Sequence, residues 1–292
     1  MTSSHPSTVR TAAATVLAMT AFAANSILCR LALGGPQIDA AGFTAIRLLS
    51  GAAMLLFIAR SSGRRRTPET RGTWASGAAL FAYAIMFSLA YLRLDVGTGA
   101  LILFAFVQVT MIVWGLFRGE RPRPLQWLGL AVASGGLVYL VSPGLSAPSP
   151  LGSAMMAVAG VAWGVYSLRG RGAIDPIVST TDNFVRSVPF VMVVAAFMFR
   201  SIDISPVGAI LAVLSGALAS GVGYVVWYAA LRGLSATRAA TVQLTVPVIA
   251  AAGGLIFLGE TVSIRLAVST ALILGGVGLT LAGRETVRRE KF

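Results

Sequence analysis

Histidine, lysine and cysteine each occur once in this chain, and charge of either sign is scarce. The single histidine, His5, lies in the N-terminal tail, which excludes Ser-His catalysis and histidine metal sites deeper in the chain. The single lysine, Lys291, stands next to the C-terminus. No G-x-x-x-x-G-K-[ST] loop therefore exists, and ATP-driven transport within the chain is excluded. One cysteine, Cys29, excludes an internal disulfide. Charged residues make up 11% of the 292 positions, against about 25% in an ordinary soluble domain. The hydrophobic share is 56% and the mean hydropathy +0.82. A chain of this composition cannot cover a water-facing surface, so it reads as a polytopic membrane protein with membrane lipid around it. The net charge of +13 would suit a nucleic-acid partner. The basic residues are scattered through short loops, however, with no basic face and no aromatic ladder, and no nucleic-acid partner is expected.

What the chain does contain is a repeat. Shifted by 140 positions, Leu94 to Gly136 lies on Leu234 to Gly276 without a gap. Ala100 meets Ala240, Phe117 meets Phe257, Gly119-Glu120 meets Gly259-Glu260, and Gly135-Gly136 meets Gly275-Gly276. Each copy reads as an apolar helix, a Gly-Glu break and a second apolar helix. A repeat of this size implies two homologous halves, a common construction among transporters.

A spanning helix needs about 20 mostly apolar residues. On that measure the sequence predicts ten, at roughly 10–30, 40–60, 73–93, 97–117, 124–142, 151–169, 180–200, 207–231, 236–257 and 264–283. The uncharged stretch from Ser142 to Pro150 holds three prolines and cannot continue a helix. The expected division is 1–143, a linker at 144–149, and 150–292. Ala21-Phe22-Ala23 has the form of a signal-peptide cleavage site, but a first spanning helix rich in alanine is the expected reading. Arginine placement sets the orientation. Arg30, Arg93, Arg200 and Arg265 fall on one side, Arg47 and Arg186 within spans, and the remaining basic residues on the other side. Both termini are therefore expected in the cytoplasm. Trp74, Trp114, Trp127, Trp163 and Trp227 then fall in the cytoplasmic parts of their spans, as an interfacial belt would. With five helices per half, the second half must enter the membrane from the opposite side. The expected fold is all-α and integral to the membrane: ten transmembrane helices as two inverted five-helix repeats.

Particular residues carry a family resemblance. Phe22-Ala23-Ala24-Asn25 followed by Arg30-Leu31-Ala32-Leu33 resembles the W-G-S-N…R-L-A-L opening of the drug/metabolite transporter superfamily, in its EamA-type exporters. Phe43-Thr44-Ala45-Ile46-Arg47 is similar to the second-helix F-x-x-x-R of that family. Phe117-Arg118-Gly119-Glu120 and Phe257-Leu258-Gly259-Glu260 resemble its L-G-E break, and Ala162-Trp163-Gly164 its sixth-helix start. Phe22 departs from the family's frequent tryptophan, which puts the pocket wall in question. YddG-type amino-acid exporters are the nearest kind. The resemblance covers nearly the whole chain and implies export of small metabolites through a central cavity between the halves.

Two arginines lie within spans, where a charge is costly and marks a functional candidate. Arg186 has Asp182 one turn away. Arg47 has no local acid; it either attracts a substrate carboxylate or snorkels toward the near interface. Asn25, Gln108, Thr110, Thr241, Gln243 and Thr245 are polar positions at depth. Pro247 leaves the carbonyl of Gln243 without its helical donor, and Pro189 does the same to Val185, which makes both prolines candidates for gating. Gln243 faces either the cavity or a neighbouring helix. Tyr83, Phe87 and Tyr91 form one helical stripe. With Phe104, Trp163, Tyr166, Tyr224 and Trp227 they either wall the cavity or pack as core. The substrate-binding set is thus Asn25, Arg47, Gln108, Gln243 and these aromatics. Glu120 and Glu260 each precede a helix start, where a carboxylate favours the helix dipole by about 0.3–1 kcal/mol, and are expected to be structural.

The expected function is facilitative export of amino acids, including aromatic or large apolar ones, and related small metabolites by alternating access. No cofactor, metal or ATPase subunit is expected. A multidrug or nucleotide-sugar-like carrier is the alternative within transport, and a lipid flippase or non-transporting scaffold the alternative outside it. No acidic residue is expected near mid-bilayer, so obligatory proton coupling is not expected. The topology is testable in intact cells: single cysteines at Ser62 and Ser146, made in a Cys29→Ala background, should label from opposite sides. Labelling of both by an impermeant external reagent contradicts the ten-span assignment.

Overall fold

The computed structural model describes residues 8–119, 123–144, 147–170, 173–197, 204–234, 239 and 242–289, of which 282–289 by backbone alone. His5, Glu120, Ser146, Thr241 and Lys291 lie outside the described residues. The architecture is all-helical: α1 (Thr8–Leu33), α2 (Ala40–Ser61), α3 (Trp74–Tyr91), α4 (Val96–Phe117), α5 (Pro124–Val141), α6 (Pro150–Arg169), α7 (Pro176–Phe197), α8 (Pro206–Leu231), α9 (Thr245–Leu258) and α10 (Ile264–Arg289). Eight of these are long and apolar enough to cross a membrane. The exceptions are α9, a shorter apolar helix, and α7, which has the length but carries a polar run from Ser179 to Asn183.

Local chemistry sets the helix starts. Asp39 accepts hydrogen bonds from the Ala41 and Gly42 amides, Thr73 from Ser76, Ser149 from Gly152 and Ser205 from Gly208. A side-chain acceptor there satisfies amides that have no partner within the helix. Proline follows the cap at α5, α6 and α8, where its missing N–H costs nothing. The same logic corrects the seventh span, expected at 180–200. Asp175 caps Ile177 and Val178 at 3.1 and 3.2 Å, so α7 begins four residues earlier, at Pro176. Asp182 therefore lies deeper than two or three residues into its helix. In the ninth span, expected from 236, Ala239, Val242 and Gln243 are helical, and an uninterrupted helix runs from Thr245 to Leu258. A turn at Leu244 precedes it, and the Thr245 hydroxyl bonds the Val242 carbonyl at 2.7 Å. Pro247 thus stands in the first turn after an interruption of the span at Leu244, which falls directly after Gln243, the residue whose helical donor proline removes.

Loop contacts sort the bundle into two ends. At one end the Ser205 amide bonds the Gln37 carbonyl, Arg30 reaches Tyr91 and Asp95, and Arg265 bonds the carbonyl of Ser142. At the other end Arg64 pairs with Asp175, the Thr73 amide bonds Asn183, and Arg169 reaches Thr73 and Ser76. Gly119 and Gly259 adopt left-handed φ angles of 82° and 66°, so each glycine of the two Gly-Glu breaks ends its helix as only glycine does readily.

Helices α5 and α10 pack against each other through small residues. A Cβ built on Gly276 falls 2.5 Å from both the Ala133 nitrogen and the Gly129 carbonyl oxygen. Those are backbone atoms and cannot give way, whereas nothing lies within 4 Å of a Cβ on Gly275. Gly276→Ala should destabilise the purified protein by about 1–3 kcal/mol, the usual cost of overpacking, while Gly275→Ala should be neutral. Thermal unfolding in detergent reads both, and equal midpoints for the two variants contradict the close packing.

Candidate functional site

The middle of the bundle is filled by rings. The i, i+4, i+8 spacing puts Tyr83, Phe87 and Tyr91 on one inward face of α3, with all three buried. Phe87 lies 4.7 Å from Tyr91 and 5.4 Å from Tyr83, centroid to centroid. Tyr83 meets Trp163 of α6 at 4.9 Å, and Trp163 stacks on Tyr166 and on Tyr224 of α8. The series continues through Phe22 of α1 to Trp227, with Phe184 of α7 against Tyr224. Each contact of this geometry contributes about 0.5–1.5 kcal/mol beyond its buried area.

Arg47 projects from α2 into this cluster. It does not snorkel: the residue is 2% exposed. Its Nη2 donates to the Tyr83 hydroxyl at 3.0 Å, and its Cζ lies 5.2 Å from the Tyr83 ring and 5.0 Å from the Phe87 ring. Nη1 is buried and has no hydrogen-bond partner. The titratable groups that interact with Arg47 are Tyr83, Tyr224 and Cys29, none of them an acid at neutral pH. Arginine stays charged. The site therefore holds a cation in a buried aromatic cage, with its Nη1 free of protein partners. Two of the faces it meets supply cation–π attraction, worth about 2 kcal/mol when desolvated.

The remaining predicted site residues divide. Asn25 is buried, and its Oδ1 accepts from Ser215 at 2.8 Å and Ser220 at 3.3 Å. Those serines are five apart in Leu214–Val222, a π-helical stretch within α8. Its wider i→i+5 turn brings both hydroxyls to one acceptor. Phe104 is buried in the apolar core outside the ring series. Gln108 lies away from the aromatic cage, on a cleft between α4, α5 and α10 that it lines with Ala133, Ser134 and Thr280. Gln243 is half-buried just before the turn at Leu244. Pro189 lies inside α7, on its exposed face. Trp74, Trp114 and Trp127 are exposed as a belt requires, but Trp163 and Trp227 face inward. Sequence reasoning missed Phe184 and the bond between Thr180 and Tyr228, 2.9 Å; a phenylalanine at the polar start of α7 was the available signal.

Charged groups close both ends of the ring series. Glu260 does not cap its own helix. Its carboxylate accepts the Val96 amide at 2.9 and 3.0 Å and so caps α4, whose own N-cap residue, Asp95, makes no side-chain cap bond. Arg30 approaches Glu260 at 3.7 Å and Asp95 at 3.8 Å, and it donates to the Tyr91 carbonyl at 2.9 Å. At the opposite end buried Asp182 is held between Arg66 and Arg186, the latter at 3.1 Å and over the Trp74 ring.

A family model described as the EamA-like transporter family matches this chain twice, over residues 10–142 and 150–282. The chain belongs to that family. It is a multi-pass membrane transporter. An uncharacterized protein of Pseudomonas aeruginosa is 50% identical over 94% of this chain and 96% of its own length. The threonine/homoserine exporter RhtA of Salmonella typhimurium is 30% identical over 87% of this chain and 85% of its own length, and that of Escherichia coli K12 is 29% identical over the same shares. A crystal structure 20% identical in sequence superposes with a TM-score of 0.67, covering 94% of this chain and 99% of the other, and shares the fold.

In this EamA-type transporter Glu260 offers a pH signature. Burial, and secondarily the Asp95 charge, raise its carboxyl above the ordinary range near 4.5, against the Val96 amide and Arg30, which lower it. With the folded pKa above the unfolded one, the folded protein holds the extra proton between the two values, and stability falls as pH rises through that window. The unfolding midpoint should therefore decline as pH rises above 4.5, and Glu260→Gln should flatten the decline. An equal slope in wild type and variant contradicts the assignment to Glu260.

Proposed function

We propose that this transporter is a facilitative exporter of amino acids and related small metabolites in the bacterial inner membrane. The chain crosses the membrane ten times as two five-helix repeats of opposite sense, residues 1–143 and 150–292 joined by a linker at 144–149, with both termini in the cytoplasm. The Arg30–Glu260 end then faces outward and the Asp182 end inward. Substrate sits between the halves and is carried unchanged as the bundle rocks between inward- and outward-open states. Arg47 is the observation that carries this reading: a buried guanidinium with a free Nη1 among aromatic rings. An arginine at depth is costly, by at least about 2.5–3.5 kcal/mol on insertion scales. Its retention among apolar rings fits a group that is discharged by an arriving carboxylate. The activity named for the RhtA relatives supports amino acids as the class. The surrounding rings support acceptance of aromatic and large apolar side chains beside smaller ones.

The acidic residues favour facilitated movement over obligatory proton exchange. Asp182 is deeper than its sequence position suggested, yet it is pinned between two arginines. Glu260 stays at one end, bonded to α4. Neither is a free carboxylate at mid-depth. The test is counterflow of threonine, homoserine, leucine and phenylalanine in proteoliposomes at equal pH. Arg47→Gln should lower exchange at least about tenfold, the loss expected when a charge-assisted bond is removed, with Arg47→Lys retaining part. Normal exchange by a correctly folded Arg47→Gln protein, or no exchange of any of the four by the wild type, overturns the proposal.

A further inference from the structure

The charge balance around Arg47 goes beyond locating a substrate; it bears on which end of the substrate is recognised. The groups that interact with the guanidinium are Cys29 from α1, Tyr83 and Phe87 from α3 and Tyr224 from α8, with Trp163 of α6 behind Tyr83 and Phe184 of α7 behind Tyr224. None is a carboxylate. The acidic side chains that the structure describes lie elsewhere: Asp39, Asp95 and Glu260 toward one end, Glu69, Asp175 and Asp182 toward the other. The Asn25 Oδ1, a neutral acceptor on α1, already holds two serine hydroxyls. A carboxylate entering beside Nη1 meets a strong, pre-positioned donor and neutralises the site. The ammonium of the same amino acid meets ring faces, two of which already attract the guanidinium, within a few ångströms of a like charge.

Like charges about 5 Å apart repel by several kcal/mol at an effective dielectric near 20. A zwitterion thus leaves the buried site with one net positive charge, whereas a monoanion leaves none, and a buried unbalanced charge is costly. Resting on the amino-acid reading of this site, we propose that the pocket selects for the carboxylate and merely tolerates the ammonium. Carboxylic acids that carry a 2-hydroxyl or 2-oxo group in place of the amine are then substrates in their own right, held at least as tightly as the amino acids of the same skeleton.

Three matched sets test this on wild-type protein in lipid nanodiscs, so that no variant needs to fold. Calorimetric titration compares L-phenylalanine, L-3-phenyllactate and phenethylamine; L-leucine, L-2-hydroxyisocaproate and isopentylamine; and L-threonine with 2,3-dihydroxybutyrate. The hydroxy acids should bind tighter than their amino acids by about tenfold or more, and the amines should not bind. Hydroxy acids binding while amino acids do not supports this inference and overturns amino-acid export. Amino acids binding while the hydroxy acids bind more weakly or not at all overturns this inference and leaves amino-acid export standing. Binding of the amines at amino-acid strength also overturns it, and no binding by either kind of acid overturns both.

Discussion

In a hydrocarbon environment every backbone amide and carbonyl must find a partner within the protein, and that requirement shapes this chain more than any single contact. It explains why the described residues are nearly all helix, joined by short turns. It also explains what happens where the helical ladder is interrupted. The widened stretch of α8 is backed by Asn25, which collects the hydroxyls of Ser215 and Ser220. The start of α4 has no cap of its own and receives the Glu260 carboxylate from the far side of the sequence. The carbonyls that end α5 are met by Arg265. The break before α9 is covered by Thr245. Irregular backbone and polar side chains therefore come together, and in three of these four places one half of the chain reaches the other.

Charge follows a similar economy. Arg30 finds Glu260 and Asp95, Arg64 finds Asp175, and Arg66 and Arg186 share Asp182. Arg47 departs from this pattern. Its surroundings are a phenol, a benzyl ring and a donor edge with nothing to bond. Packing also limits its freedom. A Cβ on Gly216 would strike the carbonyl oxygen of Arg47, and one on Gly51 would strike Phe184. Helices α2 and α8 thus meet backbone to backbone behind the arginine, and the side chain has the interior as its only direction.

Periodicity and punctuation made most of the scaffold legible. The two Gly-Glu breaks, the proline-rich joint before α6 and the inward stripe of α3 follow directly from residue type and spacing. The Asp182–Arg186 pair follows from helical geometry. What stayed hidden depends on distance in sequence. Nothing near Glu260 reveals that it serves an amide 164 positions away. Nor does the sequence of α8 announce that two serines five apart share one asparagine, since that needs a π-helical turn. Asp175-Pro176 did carry a start signal for α7; hydropathy alone overlooked it because the polar residues that follow lower the apolar average. Gln108 was placed toward the centre because depth along a helix is readable, whereas the face it presents between α4, α5 and α10 is not.

Duplication left an arginine in the second helix of each half, Arg47 in α2 and Arg186 in α7. The two copies have since parted: Arg186 is cancelled by Asp182, and Arg47 is left without an acid. A framework that repeats itself thus carries a single uncancelled positive centre in its described interior. On the proposed reading its stoichiometry is that of a simple carrier, one substrate carboxylate per turnover, and its saturation curve is hyperbolic and without cooperativity despite the internal symmetry.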